Sequence, residues 1–388
     1  MKILELFAGI GACSKAFARL GIEHEIVDAV EIDKYAIASF NAIHGTDFCV
    51  QDICEWNKDI EVDLIMHGSP CQDFSIAGKQ AGGDIGSGTR SSLMYETIRI
   101  VGKLRPKYVI WENVKNVLSA KHKHNFDNYL TAMSSLGYTN YYQVLNAKDY
   151  GIPQNRERVF TISVLNGGGF EFPQKEPLEL RLKDLLEDEV DRKYYLSNTG
   201  VEYFQNQALK RNEDLTKCRE EKLITVAHGQ CKGSIRDLDI SPTLDTQFSN
   251  NWRGVLLEPQ CIQVQTLQCN DNMGVVTYMQ GGNRQPMMIQ EPMIYDDRDK
   301  GFGVKITDIC PTQRAMRSGI KCIYPDLRIR KLTPKECWRL MGFDDEDFEK
   351  AAQLNSNTQL YKQAGNSIVV NVLEVILREL LDKNGETL

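Results

Sequence analysis

The first half of the chain alternates short apolar segments with amphipathic ones, and this alternation constrains the fold more than any other feature. The segments KILELF, HEIVDAVEI, VDLIMH and PKYVIWENV have the character of buried strands, and YYQVLNA and RVFTISVL are further strands. The interleaved segments SKAFARLG, KYAIASFNAIHG, SSLMYETIRIVGKL and FDNYLTAMSSLG have helical spacing. Strands that alternate with helices predict an α/β fold with a parallel sheet covered on both faces.

The character of the sequence changes after Phe172. The segment 173–325 is irregular and rich in Gln, Asn, Gly and Thr, with isolated strand-like runs such as GVVTYM. Helical patterns return in TPKECWRLMGF, where Thr333 is suited to cap a helix and Pro334 to its first turn, and in SIVVNVLEVILRELLD. We expect a large α/β domain formed by 1–172 and 326–388, with a smaller, mostly β and irregular domain at 173–325.

Composition argues against several classes of protein. No apolar stretch has the length of a membrane span, and the N-terminus lacks the layout of a signal peptide, so we expect a cytoplasmic protein. The eleven cysteines form no CxxC pair, and the six histidines do not cluster near them, which argues against a metal site and a disulfide framework. The net charge of -7 is unlike that of a uniformly basic nucleic-acid binder, but residues 298–339 contain eleven Lys or Arg and four Asp or Glu.

A glycine-containing turn, FAGIGA at 7–12, joins the first predicted strand to the first helix. Glycines at this place let the backbone approach a ligand at a helix N-terminus. A third glycine would complete a dinucleotide fingerprint, but Ser14 occupies its position. Glu31 ends the second strand, where a carboxylate can bind ribose hydroxyls, and Asp52 lies in a third loop. Either carboxylate alone could be a solvated loop residue, but the ordered set predicts a cofactor that contains adenosine.

Cys71 follows the third strand in the stretch GSPCQDFS. Pro70 cannot donate to a β-ladder, so the strand should end there and present Cys71 at the edge of the sheet where α/β proteins bind ligands. A cysteine in such a turn is more often simply packed, and only the rest of the sequence favours a chemical role.

Two further polar motifs follow strand ends. Glu112, in Glu-Asn-Val, is suited to donate a proton if its surroundings raise its pKa. In QNRERV, Gln154, Arg156 and Arg158 alternate onto one face of a strand. Such a face can fix an anionic or heterocyclic substrate, although in isolation it could equally be the solvated side of an edge strand.

The motifs FAGIGA, GSPCQDFS, ENV, QNRERV, RKLTPKECWRLMGF and QAGNSIVV occur in this order. The series resembles the ordered motifs of DNA cytosine-5 methyltransferases of bacterial or phage type, over residues 3–165 and 330–380. Small departures are Ala12 in place of a common glycine, Ser69 where Phe is frequent, and Ile32 where some members have an aromatic residue against the adenine. None of them removes a reactive group.

The resemblance implies transfer of a methyl group from S-adenosylmethionine to carbon 5 of a flipped-out cytosine in double-stranded DNA, with S-adenosylhomocysteine as the product. The fold it implies is the Rossmann-like sheet of S-adenosylmethionine-dependent methyltransferases. Cys71 would add to carbon 6 of the base and Glu112 would protonate ring nitrogen 3. Arg158 would contact the base oxygen, while Arg156 and Gln154 would organise the surrounding backbone. The implied catalytic residues are thus Cys71, Glu112, Arg156 and Arg158.

The resemblance also implies binding residues. Those expected for the cofactor are Phe7, Ala8, Gly9, Ile10, Gly11, Glu31, Ile32, Asp52, Ile53, Gly68, Pro70, Leu93, Asn366 and Ser367. Those expected for the substrate are Gln72, Ser75, Gln154, Gln230, Arg314 and Arg317. Asn366 and Ser367 can complete the cofactor site only if the last helix packs beside the first. The glycine-rich segment 74–92 is either a passive linker or, as we favour, a mobile lid over the DNA.

The segment 173–325 corresponds to the variable target-recognition domain of the family. Its polar residues Gln230, Gln247, Asn250, Asn251, Arg284, Arg314 and Arg317 have groups that bind base edges or phosphates, although each one alone is more often a solvated loop residue. We expect a monomer that acts separately from any cognate restriction endonuclease.

Three other functions share some of these features. A nicotinamide dehydrogenase would share the glycine turn and Glu31, but would have no use for Pro-Cys-Gln. An RNA cytosine methyltransferase of the related tRNA type would have a more compact insert than 173–325. An inactive DNA-binding homologue would not need the intact set of Cys71, Glu112 and Arg158.

Overall fold

The computed structural model describes residues 1–70, 93–195 and 332–386, and between 196 and 331 the strands alone. The chain divides into two compact units. The first unit contains Met1–Val190, Leu238–Arg253 and Leu332–Leu388, and the second contains Asp191–Asp237 and Gly254–Lys331. The first unit is therefore discontinuous in sequence and continues past Phe172 to Val190.

A six-stranded sheet forms the centre of the first unit. In spatial order its strands are β2 (Glu25–Val30), β1 (Lys2–Leu6), β3 (Leu64–His67), β4 (Tyr108–Val114), β7 (Glu157–Leu165) and β5 (Tyr138–Asn146). The pairs β1–β2, β1–β3 and β3–β4 are all parallel. Leu4, Ile65 and Ile110 are fully buried, as expected for strands with both faces covered. The predicted α/β class is confirmed.

The expectation of an entirely parallel sheet is wrong at β7. This strand is antiparallel to both of its neighbours, β4 and β5. Parallel neighbours need a crossover connection of a dozen or more residues, usually a helix. Between β5 and β7 the chain has only a short 3₁₀ turn (Ala147–Tyr150) and the two-residue strand β6 (Gln154–Asn155), so β7 returns beside β5 as a hairpin.

Four helices of the first unit follow strands as predicted. They are α1 (Ala12–Arg19), α2 (Lys34–His44), α3 (Met94–Leu104) and α4 (Lys123–Ser135). On one face of the sheet the buried core joins Trp111 of β4 to Phe126 and Tyr129 of α4. Phe40 of α2 packs with Ala29 of β2 in a separate small cluster.

The C-terminal segment contains α5 (Pro334–Arg339), α6 (Asp345–Ala352), α7 (Asn357–Asn366) and α8 (Val370–Lys383). Thr333 caps α5 as predicted, in a reciprocal capping box with Glu336. Arg19 of α1 binds Glu374 of α8, with Nε 2.7 Å from Oε1. The last helix therefore packs beside the first, which confirms the prediction.

The described parts of the second unit are mainly short strands. Strands β8 (Ile224–Ala227), β9 (Ile235–Asp237), β11 (Arg253–Leu257) and β16 (Arg328–Lys331) form one four-stranded sheet. Strands β12 (Val276–Thr277), β13 (Met293–Asp296), β14 (Lys305–Thr307) and β15 (Ile320–Ile323) form another. The remaining strand, β10 (Ser241–Pro242), belongs to the first unit and pairs with β6. Among the described helices of both units, none is long and apolar enough to cross a membrane.

Candidate active site

The turn after β1 has an unusual backbone. Phe7, Gly9 and Gly11 all have positive φ, at 54°, 58° and 80°. A bulky residue such as Phe7 rarely adopts this conformation, and such residues cluster at ligand-binding sites. The N–H of Gly9 donates to Glu31 Oε2 over 2.9 Å, which ties the turn to the end of β2.

The two glycines of the turn are required for different reasons. At Gly9 a Cβ atom would meet nothing within 4 Å, so open space lies beside the backbone. At Gly11 a Cβ atom would lie 2.1 Å from His44 Nε2 and 2.8 Å from Phe40 Cε2. Only Gly9 therefore has the clearance expected for close approach of a ligand, while Gly11 makes room for α2. The His44 ring also bonds the Ile10 carbonyl over 3.2 Å, and burial lowers the pKa of His44 to about 4.

Glu31 and Ile32 lie just beyond the end of β2. Glu31 is half-buried, and its Oε1 accepts the N–H of Asp33 over 2.8 Å. Burial raises the pKa of Glu31, while bonds from the N–H groups of Asp33 and Gly9 act in the opposite direction. Ile32 is 66% exposed, so an apolar surface lies beside the Glu31 carboxylate. Asp52 and Ile53 follow on the neighbouring loop, where Ile53 is buried and Asp52 accepts the Cys54 N–H over 2.9 Å.

The end of β3 leads toward the predicted nucleophile. A Cβ atom on Gly68 would lie 3.8 Å from Glu112 Oε2 and 3.6 Å from Ile368 Cδ1, so the ends of β3 and β4 and the α7–α8 connection meet here. Ser69 is buried, and its Oγ accepts a bond from Trp111 Nε1 over 3.0 Å. Pro70 is the last described residue before a gap. The predicted residues Cys71, Gln72 and Ser75 and the predicted lid 74–92 lie outside the described residues.

Glu112 and Arg158 form an ion pair, with Glu112 Oε1 2.9 Å from Arg158 Nε. Register explains the contact: Glu112 is opposite Phe160 and Val114 is opposite Arg158, so the two charged residues are diagonal neighbours on one face of the β4–β7 pair. Their side chains are 12% and 17% exposed. Two charged groups thus remain accessible in a largely apolar setting.

Arg156 and Gln154 are turned toward the protein interior. Arg156 is 4% exposed, and its Nη2 donates to the carbonyls of Ser367 over 2.7 Å and Gly365 over 3.2 Å. Gln154 is fully buried and donates to the Leu340 carbonyl over 2.9 Å. These bonds support the backbone-organising role expected for both side chains, and they leave Arg158 as the member of the motif beside Glu112.

A small cavity, open to solvent, adjoins the ion pair. It is lined by Glu112, Leu145, Ala147, Arg156, Arg158, Phe160, Ile368, Val369 and Val372. Its walls are mainly apolar, and its two accessible charges lie together. The ion pair therefore lies at the wall of a small cavity that also includes Ile368 and Val369 of the α7–α8 connection.

A family model for C-5 cytosine-specific DNA methylases matches residues 1–382. The chain belongs to this family. Its curated relatives include the type II methyltransferase M2.ScrFI of Lactococcus lactis subsp. cremoris, which is 33% identical over 98% of this chain and 99% of the relative. The orphan methyltransferase M.SPRI of Bacillus phage SPR is 32% identical over 98% of this chain and 97% of the relative.

Solved structures support the same fold. The Entamoeba histolytica methyltransferase EhMeth has a TM-score of 0.60 at 16% identity, covering 98% of both chains. The S. pombe Dnmt2 methyltransferase has a TM-score of 0.58 at 18% identity, again covering 98% of both chains. These likenesses show the methyltransferase fold. The family match and the relatives identify a DNA cytosine-5 methyltransferase.

The remaining residues expected in this cytosine-5 methyltransferase occupy varied positions. Leu93 packs against the core at the start of α3. Asn366 is exposed at the end of α7, and Ser367 caps that helix. Gln230, Gln247, Asn250, Asn251, Arg284, Arg314 and Arg317 lie outside the described residues. Within the described part of the chain, no group of three His, Cys, Asp or Glu residues has the arrangement of a metal site.

Sequence reasoning missed several residues that shape the methyltransferase site. Ile368 lines the cavity, and its position directly after Ser367 in QAGNSIVV was an available signal. Ser69 was noted only as a departure from the family, whereas its hydroxyl accepts the Trp111 bond. Asp28 and Glu5 lie inside apolar strands, and no sequence pattern indicated which residues they bind.

Proposed function

We propose that this methyltransferase acts on a cytosine rotated out of double-stranded DNA, with Cys71 as nucleophile and S-adenosylmethionine as methyl donor. The observation that carries the proposal is the Glu112–Arg158 ion pair beside Gly68, at the edge of the cavity. A base stacked in a duplex cannot present its ring to a thiolate, so it has to leave the helix at a cost of a few kcal/mol.

The protein's own residues have separate tasks in this reaction. The Cys71 thiolate forms a bond to carbon 6, and the electron pair of the C5–C6 double bond moves to carbon 5 and, through carbon 4, to ring nitrogen 3. Glu112 holds and protonates ring nitrogen 3, which neutralises charge as sulfur adds. Arg158 donates to the base oxygen and orients Glu112 through their ion pair. After methylation, loss of the carbon 5 proton restores the double bond and expels the thiolate, a step for which cysteine is suited.

The turn and the loops beside β2 fit an adenosylated cofactor. Gly9 has open space where a side chain would be, Glu31 provides a carboxylate at the strand end, and Ile32 exposes an apolar surface. When bound, S-adenosylmethionine supplies an electrophilic methyl group. Its binding residues in this proposal are those expected from the sequence: Phe7, Ala8, Gly9, Ile10, Gly11, Glu31, Ile32, Asp52, Ile53, Gly68, Pro70, Leu93, Asn366 and Ser367.

Covalent trapping tests the nucleophile. DNA with 5-fluorocytosine at the target should form a stable adduct with the wild type, because fluorine blocks the final elimination. Cys71→Ser should form none and should lose methyl transfer, while it retains binding of cofactor and DNA. Cys337→Ser, at a buried cysteine of α5, is the control and should still be trapped. Turnover by Cys71→Ser, or an adduct through another cysteine, contradicts the assignment.

The segment 173–325 is proposed to read the target sequence, with Gln72 and Ser75 contributing from the active-site side. Its support is its separation from the cofactor motifs and the basic character of 298–339. Exchange of this segment for that of another family member, followed by bisulfite sequencing, tests it. An active chimera that still methylates the original sequence rules it out.

The chain is further proposed to act as a cytoplasmic monomer, independently of any cognate restriction endonuclease. A single asymmetric site needs only one catalytic unit. Methylation by the purified chain alone, with sedimentation at the working concentration, tests this proposal. A requirement for a second copy or a second protein contradicts it.

A further inference from the structure

Asp28 of β2 is a buried carboxylate that the proposed chemistry does not use. Its side chain is 1% exposed, and three side chains from one loop converge on it. Oδ1 accepts Gln51 Nε2 over 2.7 Å, while Oδ2 accepts Trp56 Nε1 over 2.8 Å and Lys58 Nζ over 2.7 Å. Its own neighbour Ala29 donates an N–H to Oδ1 over 3.0 Å.

The loop bound by Asp28 is held by side-chain and backbone contacts rather than by regular secondary structure. No helix or strand occurs between His44 at the end of α2 and Leu64 at the start of β3. Gln51 also pairs with the end of β2, through its N–H to the Glu31 carbonyl over 2.9 Å. From the other side, Arg99 of α3 donates to the carbonyls of Ile53 and Trp56, both over 3.0 Å. Asp28 thus joins β2 to three side chains of this loop, and Gln51 Nε2 also donates to the Ala29 carbonyl over 3.0 Å.

We infer that Asp28 is a positioning residue for the adenosine end of the cofactor site. The inference rests on the proposed function, in which Glu31, Asp52 and Ile53 are among the residues that bind the cofactor. Glu31 is fixed to β2, but Asp52 and Ile53 depend on the loop between Gln51 and Trp56. The Asp28 carboxylate holds both ends of that stretch and therefore sets the spacing between the two halves of the adenosine site. Binding sites lose affinity when such supporting contacts are removed, because the site is no longer preorganised.

Asp28→Asn is the direct test. The variant keeps the size of the side chain but replaces one acceptor oxygen with a donor that opposes Trp56 or Gln51, and it removes the charge that binds Lys58. The Kd values for S-adenosylmethionine, S-adenosylhomocysteine and adenosine should rise by the same factor, about tenfold, which corresponds to about 1.4 kcal/mol. Because Glu112 and Arg158 are untouched, kcat at saturating cofactor should change by less than about twofold while KM follows Kd.

A milder variant keeps the test valid if Asp28→Asn does not fold. Trp56→Phe removes only the indole N–H bond and should raise the three Kd values by a smaller common factor. Glu336→Gln is the matched control, since Glu336 is also a buried carboxylate that accepts two backbone N–H bonds, from Thr333 and Glu187. It should alter thermal stability without changing cofactor Kd.

Three outcomes distinguish a failure of the Asp28 inference from a failure of the proposed cofactor site. If Glu31→Ala and Asp28→Asn both weaken adenosine binding, and Asp28→Asn raises all three Kd values by one common factor, the inference holds. If Glu31→Ala weakens binding but neither Asp28→Asn nor Trp56→Phe does, Asp28 has only a structural role. If Glu31→Ala leaves all three Kd values unchanged, the cofactor assignment itself is wrong.

Discussion

Glu112 on β4 and Arg158 on β7 form a 2.9 Å ion pair as diagonal neighbours across an antiparallel strand pair. The contact exists only because β7 reverses direction relative to β4, which brings the start of one strand beside the end of the other. Two motifs separated in sequence therefore lie side by side at one place. In the function proposed above, Arg158 donates to the carbonyl oxygen of the cytosine and the protonated carboxyl of Glu112 donates to its ring nitrogen 3.

Glu112→Gln should slow methyl transfer more than it weakens DNA binding. The amide cannot supply a proton to ring nitrogen 3, and general acid catalysis contributes about 10²- to 10⁴-fold. Single-turnover methylation at saturating DNA and cofactor measures this step. Glu157→Gln is the control, because the exposed Glu157 pairs with Lys115 on the other face of the strand. Unchanged single-turnover rates in Glu112→Gln rule out the proton-donor role.

Substitution of Arg156 should mainly lower the stability of the fold, whereas substitution of Arg158 should mainly slow methyl transfer. Arg156→Gln removes the guanidinium that binds the carbonyls of Gly365 and Ser367, so it should lower the free energy of unfolding by about 1.5–3 kcal/mol. Arg158→Gln, at a half-buried site, should cost less stability and more single-turnover rate. Urea unfolding and single-turnover assays on both variants measure the two effects. A reversed pattern would mean that Arg156 contacts the substrate.

The sequence was sufficient for the local elements but not for the relationships between them. Apolar runs and helical spacing predicted β1 to β4 and α1 to α4, because each is specified by residues close together along the chain. The direction of β7 was not predicted, since it depends on the absence of a crossover helix after β5. Helices α6 and α7 were also missed, as neither has a long apolar face.

The same division applies to the site. Motif order indicated Glu112 and Arg158, yet their contact depends on strand register. The sequence did not distinguish Gly11 from Gly9; the packing of Gly11 against His44 does. The burial of Arg156 depends on carbonyls more than two hundred positions away, at the end of α7. Long-range packing of this kind leaves no local pattern.

Gly9→Ala and Gly11→Ala should have different consequences. At Gly9, with φ 58°, a methyl group meets no protein atom, so the stability cost is the backbone cost of about 1–2 kcal/mol. It should instead weaken cofactor binding by filling the open space. At Gly11 the methyl group collides with His44 and Phe40, which adds about 1–3 kcal/mol of overpacking. Denaturant unfolding and cofactor titration compare the pair, and equal effects of both variants on both measurements contradict the distinction.

Glu5 should make stability depend on pH in an unusual direction. This carboxyl on β1 is buried and accepts the N–H and the hydroxyl of Ser14, in the first turn of α1, where the N-cap Gly11 has no side chain to offer. Burial raises the pKa of Glu5 from 4.5 to about 7, against the opposing effect of the Ser14 bonds. Ser14 occupies the position of the third glycine of a dinucleotide fingerprint, and its role here is to bind Glu5.

The sign of the pH effect follows from the raised pKa of Glu5. Between pH 4.5 and about 7 the folded protein holds a proton on Glu5 that the unfolded chain has lost, so the contribution to stability is present at low pH and is lost as pH rises through about 7. At about 1.36 kcal/mol per pKa unit, the contribution is about 3 kcal/mol. Glu5→Gln cannot titrate. As pH rises from 5 to 8, the free energy of unfolding of the wild type should therefore fall relative to that of Glu5→Gln by about 3 kcal/mol. Urea unfolding at several pH values measures the difference, with the exposed Glu23→Gln as control. A constant difference between Glu5→Gln and wild type across this range means that Glu5 does not titrate there.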